Sequence, residues 1–318
     1  MIVITGAAGF IGSQIALEFS NMGENLLLVD HLALFKERPY LKKITSEVEI
    51  QDAASFLDKL DSYKDIEVIV HMGAITNTGE RDAELLKKWN VDYSKALWNF
   101  CAKRAIPFVY ASSAATYGDG SQGFTDSHVR IKSLKPLNPY GQSKQIFDMT
   151  ALKNSEDNSK SPPFWYGLKF FNVYGPHEDH KARMASSIWH GFHEIKTTSQ
   201  MTLFNSHNPN FKNGEQARDF IFIADILKVI GFMISKKPKS GIYNCGTGIP
   251  STFLSLAKTL FENLKVPVKI KWIDTPFEFR AGYQYTTCAE VSKLREAGFE
   301  GSFTSLNDGV KKYLEYLK

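Results

Sequence analysis

The feature that most restricts how this chain can fold lies at its start. Met1-Ile-Val-Ile-Thr5 is a short apolar run cut off by Gly6. Such a run reads as a strand buried on both faces of a parallel sheet. Gly6-Ala-Ala-Gly9-Phe-Ile-Gly12 follows, and then helical periodicity through Ile15, Ala16 and Phe19. The spacing is G-x-x-G-x-x-G rather than G-x-G-x-x-G, but the physical demands are alike. Gly6 makes the tight turn, Gly9 lets a pyrophosphate approach backbone N–H groups, and Gly12 lets helix and sheet pack closely.

A second apolar run, Asn25-Leu-Leu-Leu-Val29, ends in Asp30, roughly 20 residues beyond the glycines. An acid there accepts hydrogen bonds from both hydroxyls of an adenosine ribose. Its charge favours NAD, because a 2′-phosphate would be repelled. His31, Lys36, Arg38, Lys42 and Lys43 follow closely, however, and any of them could pair with that phosphate. On these residues NAD and NADP both stand.

Val68-Ile-Val-His71 reads as the next core strand. Met72, Gly73, Ala74, Ile75 and Thr76 form a small-residue loop at its carboxyl end, where a doubly wound sheet binds ligands. A long helical pattern from about Glu80 to Lys103 holds Asn90, either an amide that reaches the cofactor or a polar helix residue. Pro107-Phe-Val-Tyr-Ala111 is a further buried strand and delivers Ser112 and Ser113 to the same carboxyl edge. Strand and helix patterns alternating over roughly 170 residues predict an α/β fold with a doubly wound parallel sheet of the Rossmann type.

Tyr140-Gly-Gln-Ser-Lys144 opens the next helix, after Pro139. Tyrosine and lysine at this spacing share a helix face. A phenol is a poor base at neutral pH, but a nearby ammonium and an oxidised nicotinamide would favour the phenolate. Ser113, arriving from a strand end, can hydrogen-bond a substrate oxygen and share its proton. Together these groups suit removal of a proton from an alcohol while hydride leaves its carbon. Tyr-x-x-x-Lys by itself is common on solvated helix faces, so its weight comes from the company of the glycine loop and Ser113.

Trp165–Phe171 reads as another strand and leads into Asn172-Val-Tyr-Gly-Pro176, where the pattern loosens. His177 and His180 have no further ligands nearby to complete a set, so no metal site is expected. Lys181–Ser186 reads as the opening of a helical pattern with a cationic start. Beyond it come Leu203-Phe-Asn-Ser206, the pair Arg218-Asp219, a strand Phe220–Ile223 entering the helix Ile226–Ser235, and the strand and turn Gly241–Gly248. A strand Val268–Ile273, a loop with Arg280 and Tyr283, and two terminal helices complete the chain. The expected division is a dinucleotide-binding domain over 1–171 with returning segments about 218–248, and a smaller mixed α/β substrate lobe over about 172–217 and 249–318.

Composition narrows the class further. Apolar residues at 43% and charged residues at 23% of 318 are ordinary for a globular protein, and a net charge of +4 gives no reason to expect nucleic acid. Cys101, Cys245 and Cys288 are far apart and odd in number, which points to a reducing compartment. The chain opens on strand pattern without a basic leader, and no run nears the roughly 18 apolar residues of a spanning helix. A cytoplasmic protein with no membrane partner is the expectation.

With the glycine loop, Asp30, Ser113, Tyr140 and Lys144 in order, the sequence resembles the extended short-chain dehydrogenase/reductase superfamily, above all its nucleotide-sugar epimerases. Asn172-Val-Tyr-Gly-Pro176, Arg218-Asp219-Phe220 and Tyr243-Asn-Cys-Gly-Thr-Gly248 match landmarks of that group. Ala111-Ser-Ser-Ala-Ala-Thr-Tyr-Gly118, His180-Lys181 with Met184-Ala-Ser186, and Ala281-Gly-Tyr-Gln284 are most similar to the branch acting on an ADP-linked heptose. The resemblance implies inversion at C6 of ADP-D-glycero-D-manno-heptose through a transient 6-keto form, supplying lipopolysaccharide inner core. It implies Tyr140 and Lys181 as paired proton-transfer residues, with Lys144 on the cofactor ribose. A tightly held NADP would be contacted by Phe10, Ile11, Asp30, His31, Asn90 and Val173, and the substrate by Ser113, Asn172, His190, Phe204, Asn205, Ser206, Arg218 and Tyr283. Arg183, placed with the substrate contacts, stands where a small residue is usual. A homo-oligomer, in particular a homopentamer, is implied as well. Competing readings are a UDP-hexose 4-epimerase, a sugar dehydratase and a non-catalytic dinucleotide sensor. A dehydratase needs an acid after the active-site serine, whereas Ala114, Ala115 and Thr116 follow Ser113.

Overall fold

The computed structural model describes residues 1–280 and 283–318; Ala281 and Gly282, part of the Ala281–Gln284 motif, lie outside the described residues. The chain up to Phe170 builds six strands of one sheet: β1 (Ile2–Thr5), β2 (Leu26–Asp30), β3 (Glu49–Asp52), β4 (Val68–His71), β5 (Phe108–Ser113) and β6 (Trp165–Phe170). A seventh strand, Gly241–Cys245, returns beside β6, and the order runs 241–245, β6, β5, β4, β1, β2, β3. β1 pairs in parallel with both β2 and β4, with Ile4 opposite Leu28 on one side and Val70 on the other. The strand order therefore reverses between β1 and β4, which is the crevice where doubly wound sheets bind ligands.

The apolar runs behave as two-sided burial demands. Val3, Ile4, Leu27, Leu28, Val29, Ile69 and Val70 are fully enclosed. β3 is the exception: Glu-Ile-Gln-Asp carries no apolar run and was not among the expected strands. It is an edge strand paired only to β2 among the described residues, where polar side chains suit the wet side.

By contacts the chain divides into two units. One comprises residues 1–116, 126–169 and 227–243; the other comprises 117–125, 170–226 and 244–318. The second unit is built from small pairings: Asn172–Tyr174 with Phe220–Phe222 and Met201–Phe204 with Ile270–Ile273, both parallel, and Ala217–Arg218 with Ser251–Thr252, antiparallel. Its helix Phe253–Leu264 packs on the helices Ser187–Thr198 and Leu306–Leu317. Among the described residues no helix is long and apolar enough to cross a membrane.

Inside the first unit lies an ion pair that the apolar appearance of β6 hides. Lys169, in the middle of β6, points its Nζ at Asp148 Oδ2 at 2.6 Å, with both side chains wholly buried. The same ammonium donates to Thr116 Oγ1 at 2.6 Å. Asp148 also accepts from the Tyr110 phenol at 3.0 Å and from the Ser112 hydroxyl at 2.7 Å. Every oxygen of the carboxylate is thus satisfied, the condition under which a buried pair is tolerated. Asp148 sits on the helix Pro139–Asn154, so the network fastens that helix to β5 and β6. Lys169→Met should cost roughly 3–5 kcal/mol by leaving the carboxylate unpaired, and adding Asp148→Asn should recover part of that loss. Chemical denaturation of the two variants checks this; a single-variant cost below about 1 kcal/mol would contradict it.

Candidate active site

In the first unit the glycine loop is shaped for a close backbone approach. Gly6 has φ +68, and a Cβ there would stand 2.5 Å from the Gly73 nitrogen. A Cβ on Gly12 would stand 2.0 Å from the Gly6 carbonyl oxygen, so the helix Phe10–Asn21 lies directly on the turn. Gly9 occupies the N-cap of that helix and supplies no side-chain cap. A helix start of this kind offers its first N–H groups to an anion. These residues fit a dinucleotide pyrophosphate: the cradle is one that any Cβ would fill.

Asp30 closes the far end of the loop. Its Oδ2 accepts from the Ala8 N–H at 2.9 Å and its Oδ1 from the His31 N–H at 2.8 Å. Burial nevertheless raises its pKa, against the lowering effect of those two bonds and of the His31 and Arg38 charges. His31 meets the Trp89 ring edge-on at 5.1 Å.

The Asn90 side chain makes three hydrogen bonds within the first unit. Its Oδ1 accepts from the Ile75 N–H at 2.8 Å, and its Nδ2 donates to the Ile75 carbonyl at 3.0 Å and to Ser143 Oγ at 2.9 Å. The amide thereby fixes the Met72–Ile75 loop against the helix that carries Tyr140. It does so from a π-helical segment, Lys87–Asp92, inserted between two α-helical stretches. Such insertions gather at functional sites.

A second chain of bonds supports the same loop. The Gly73 N–H donates to Thr5 Oγ1 at 3.3 Å, which lies 2.6 Å from His71 Nδ1. His71 Nε2 lies 2.8 Å from Ser94 Oγ, and that hydroxyl donates to the Asn90 carbonyl at 2.9 Å. Because the Ser94 proton goes to Asn90, Nε2 carries the ring proton and Nδ1 accepts from Thr5. Burial, and then the Lys144 charge, push His71 down to about 3, so the ring is neutral.

The Ser113 side chain acts on the Tyr140 phenol as a hydrogen-bonding neighbour that lowers its pKa. Tyr140 lies on the first turn of the helix Pro139–Asn154, whose start Asn138 caps through the Gly141 N–H at 2.7 Å. Lys144, one turn on, donates to the Ala111 carbonyl at 2.8 Å. Burial lowers it to about 8, with the Asp148 charge acting in the opposite direction. The Tyr140 phenol itself is raised, first by burial, with the Ser113 bond pulling down and Asp148 pushing up. That net direction is opposite to the one a neighbouring ammonium alone would give: desolvation of the phenolate outweighs the lowering by Ser113.

In the second unit, Arg218 stacks its guanidinium on Phe253 at 5.5 Å and Tyr283 at 5.6 Å, and donates to the Ala217 carbonyl at 2.9 Å. Its sequence neighbour Asp219 is no ion partner. It accepts from the N–H groups of Thr247, Gly248 and Ala289 and from the Thr247 hydroxyl, and so builds the turn after the strand 241–245. Phe204 ends a strand; Asn205 donates to Asp274 at 2.9 Å, and Ser206 lies 3.3 Å from the Tyr285 phenol, whose ring packs on Tyr283. Thus Phe204, Asn205, Ser206, Arg218 and Tyr283 belong to one aromatic and polar neighbourhood. Asn172, Arg183 and His190 are exposed side chains, and Val173 is half-buried in the short strand opposite Ile221. Lys181 lies in a tight turn over Asp179–Met184 and not at a helix start. The helix begins at Ser187, because the Ser186 hydroxyl caps it by accepting from the Trp189 N–H at 3.2 Å. Burial lowers the pKa of Lys181, and the charge of Glu178 raises it.

Known proteins share the sequence and the fold. A family model, the NAD dependent epimerase/dehydratase family, matches residues 2–246. An ADP-L-glycero-D-manno-heptose-6-epimerase of Fusobacterium nucleatum subsp. nucleatum is 40% identical, over 99% of this chain and 97% of that protein. The crystal structure of the Helicobacter pylori ADP-L-glycero-D-manno-heptose-6-epimerase matches with a TM-score of 0.83 at 26% identity, over 99% of this chain and 95% of that one. A Bacillus cereus UDP-glucuronic acid 4-epimerase, in complex with UDP-glucuronic acid and NAD, shares the fold with a TM-score of 0.79 at 22% identity, over 99% and 98% of the two chains. A glycine cradle, a buried Tyr140–Ser113 pair and a match spanning most of the sequence agree: the chain belongs to the NAD dependent epimerase/dehydratase family.

Proposed function

We propose that this protein interconverts the C6 epimers of ADP-glycero-manno-heptose through a transient 6-keto sugar. The observation that carries this reading is the full-length likeness to several proteins of one name, at 35–40% identity over 99–100% of the chain. The glycine cradle, Asp30 and Lys144 of the first unit would hold a nicotinamide dinucleotide, with Phe10, Ile11, Met72–Ile75 and Val173 around it. When bound, that cofactor supplies a hydride acceptor and returns the hydride.

The protein's own part is proton transfer and binding. The Tyr140–Ser113 pair would accept and return the proton of the C6 hydroxyl, Ser113 by hydrogen-bonding the oxygen. Tyr140 starts with a raised pKa, so acting as a base would require the positive charge that an oxidised cofactor brings beside Lys144. Lys181 would serve the opposite face, since inversion presents the oxygen in two orientations. Burial already favours its neutral amine, the form a base requires. Arg218, with its guanidinium near the Phe253 and Tyr283 rings, suits bidentate contact with a diphosphate. Asn172, His190, Phe204, Asn205, Ser206, Tyr283 and Arg183 would complete the substrate contacts.

NADP is the proposed form. His31, Lys36 and Arg38, close behind Asp30 in the chain, would meet a 2′-phosphate. We further propose a cytoplasmic homo-oligomer of five subunits, on the resemblance alone.

Two measurements test this. Tyr140→Phe combined with Lys181→Met should abolish turnover of ADP-D-glycero-D-manno-heptose, assayed beside UDP-galactose; a normal rate in the double variant would sink the two-base scheme. Nucleotide released on denaturing the purified protein should be NADP, and recovery of NAD alone would refute that preference.

A further inference from the structure

A buried carboxylate that the proposed chemistry does not use closes the loop carrying Lys181. Glu178 is 0% exposed. Its Oε1 accepts from the Ser186 hydroxyl at 2.6 Å and from the Gly175 N–H at 3.4 Å, and its Oε2 from the Ser186 N–H at 2.6 Å. Its own carbonyl accepts from the Lys181 N–H at 2.9 Å. One side chain therefore clips the two ends of the segment Gly175–Ser186 together, with Lys181 between them.

The segment needs such a clip. His177 has φ 68, and Ala182 has φ 45 with ψ −118, so two non-glycine residues stand in left-handed conformations around Lys181. Backbone of that kind persists only where its surroundings over-determine it. The far end is fixed independently, since Ser186 also caps the helix Ser187–Thr198. From the C-terminal helix, Tyr313 faces Glu178, and Tyr316 bonds His177 Nδ1 at 3.0 Å. The charge of Asp179 acts on His177 and Tyr313 as well.

We propose that Glu178 is the positioning residue for Lys181: its carboxylate clips Gly175 to Ser186 and so fixes where the Lys181 amine is presented. This rests on the reading of Lys181 as the second proton-transfer group. The charge has a second consequence. Burial lowers the Lys181 pKa and the Glu178 carboxylate raises it, so removing that negative charge must lower it further.

The test uses the full-length protein with Glu178→Gln, which keeps the shape but turns one acceptor into a donor facing the Ser186 and Gly175 donors. We expect kcat to fall on the order of 100-fold with KM little changed, the pattern of a misplaced group. We also expect Lys181, followed by the pH dependence of its labelling with an amine-reactive reagent and mass spectrometry, to titrate at lower pH than in the unaltered protein. Ser186→Ala removes one arm of the clip and keeps the charge. It should lower kcat less and leave the Lys181 titration without a downward shift, and it carries the test if Glu178→Gln does not fold. Normal kcat in Ser186→Ala, or normal kcat with an unmoved titration in Glu178→Gln, overturns the proposal. Full activity in Lys181→Met would instead overturn the role of Lys181, and the labelling readout keeps the two failures apart.

Discussion

The helix Pro139–Asn154 is fixed to the sheet by two buried polar ties, and the proposed chemistry depends on that attachment. Lys144 is bonded to the Ala111 carbonyl at the end of β5, and Asp148, one turn on, is bonded to Lys169 of β6, Tyr110 and Ser112. Tyr140 is on the same rod one turn earlier, so its phenol meets Ser113 in a position set by the sheet and not by a loop. Rigid elements hold reacting groups more closely than loops can. The same burial shifts the energetics. It drives Lys144 down to about 8 and raises the Tyr140 phenol, leaving both groups responsive to whatever charge enters the cleft.

The loop Met72–Ile75 is supported in a similar way, through neutral groups. Asn90 and the Thr5–His71–Ser94 chain both end on the loop Met72–Ile75, and the π-helical segment Lys87–Asp92 sets where Asn90 stands. A neutral His71 beside a lysine ammonium avoids a second buried positive charge next to Lys144. In the second unit a single carboxylate, Glu178, plays the corresponding part for the loop of Lys181.

Much of this was legible in the sequence where the chemistry is local. Gly6, Gly12 and Asp30 announce a turn, a close packing contact and an acid at a strand end, each a demand of one short segment. Tyr140, Lys144 and Ser113 were readable because helix spacing and strand ends dictate where such side chains go. What stayed hidden depends on distant partners. Lys169 interrupts a buried apolar strand, and a lysine there requires a buried acid; that was the available signal, but nothing in the spacing points to Asp148. The π-helical insertion leaves helical periodicity nearly unchanged, so Asn90 could not be assigned. Nothing local shows that Asp219, beside Arg218 in the chain, faces the backbone of Thr247 and Gly248. The helix start at Ser187 was obscured because Lys181–Met184 mimics a helical turn, while the true cap is the hydroxyl of Ser186.

The central claim is that the sugar carbon is oxidised and reduced in place by a hydride that never leaves the protein. The most direct measurement follows ADP-D-glycero-D-manno-heptose carrying deuterium at C6 through epimerisation in ordinary water. Retention of the deuterium at C6 of the product, with no nucleotide added, is the predicted result. Its replacement by solvent hydrogen would contradict the account, because it would mean that C6 is inverted by proton exchange.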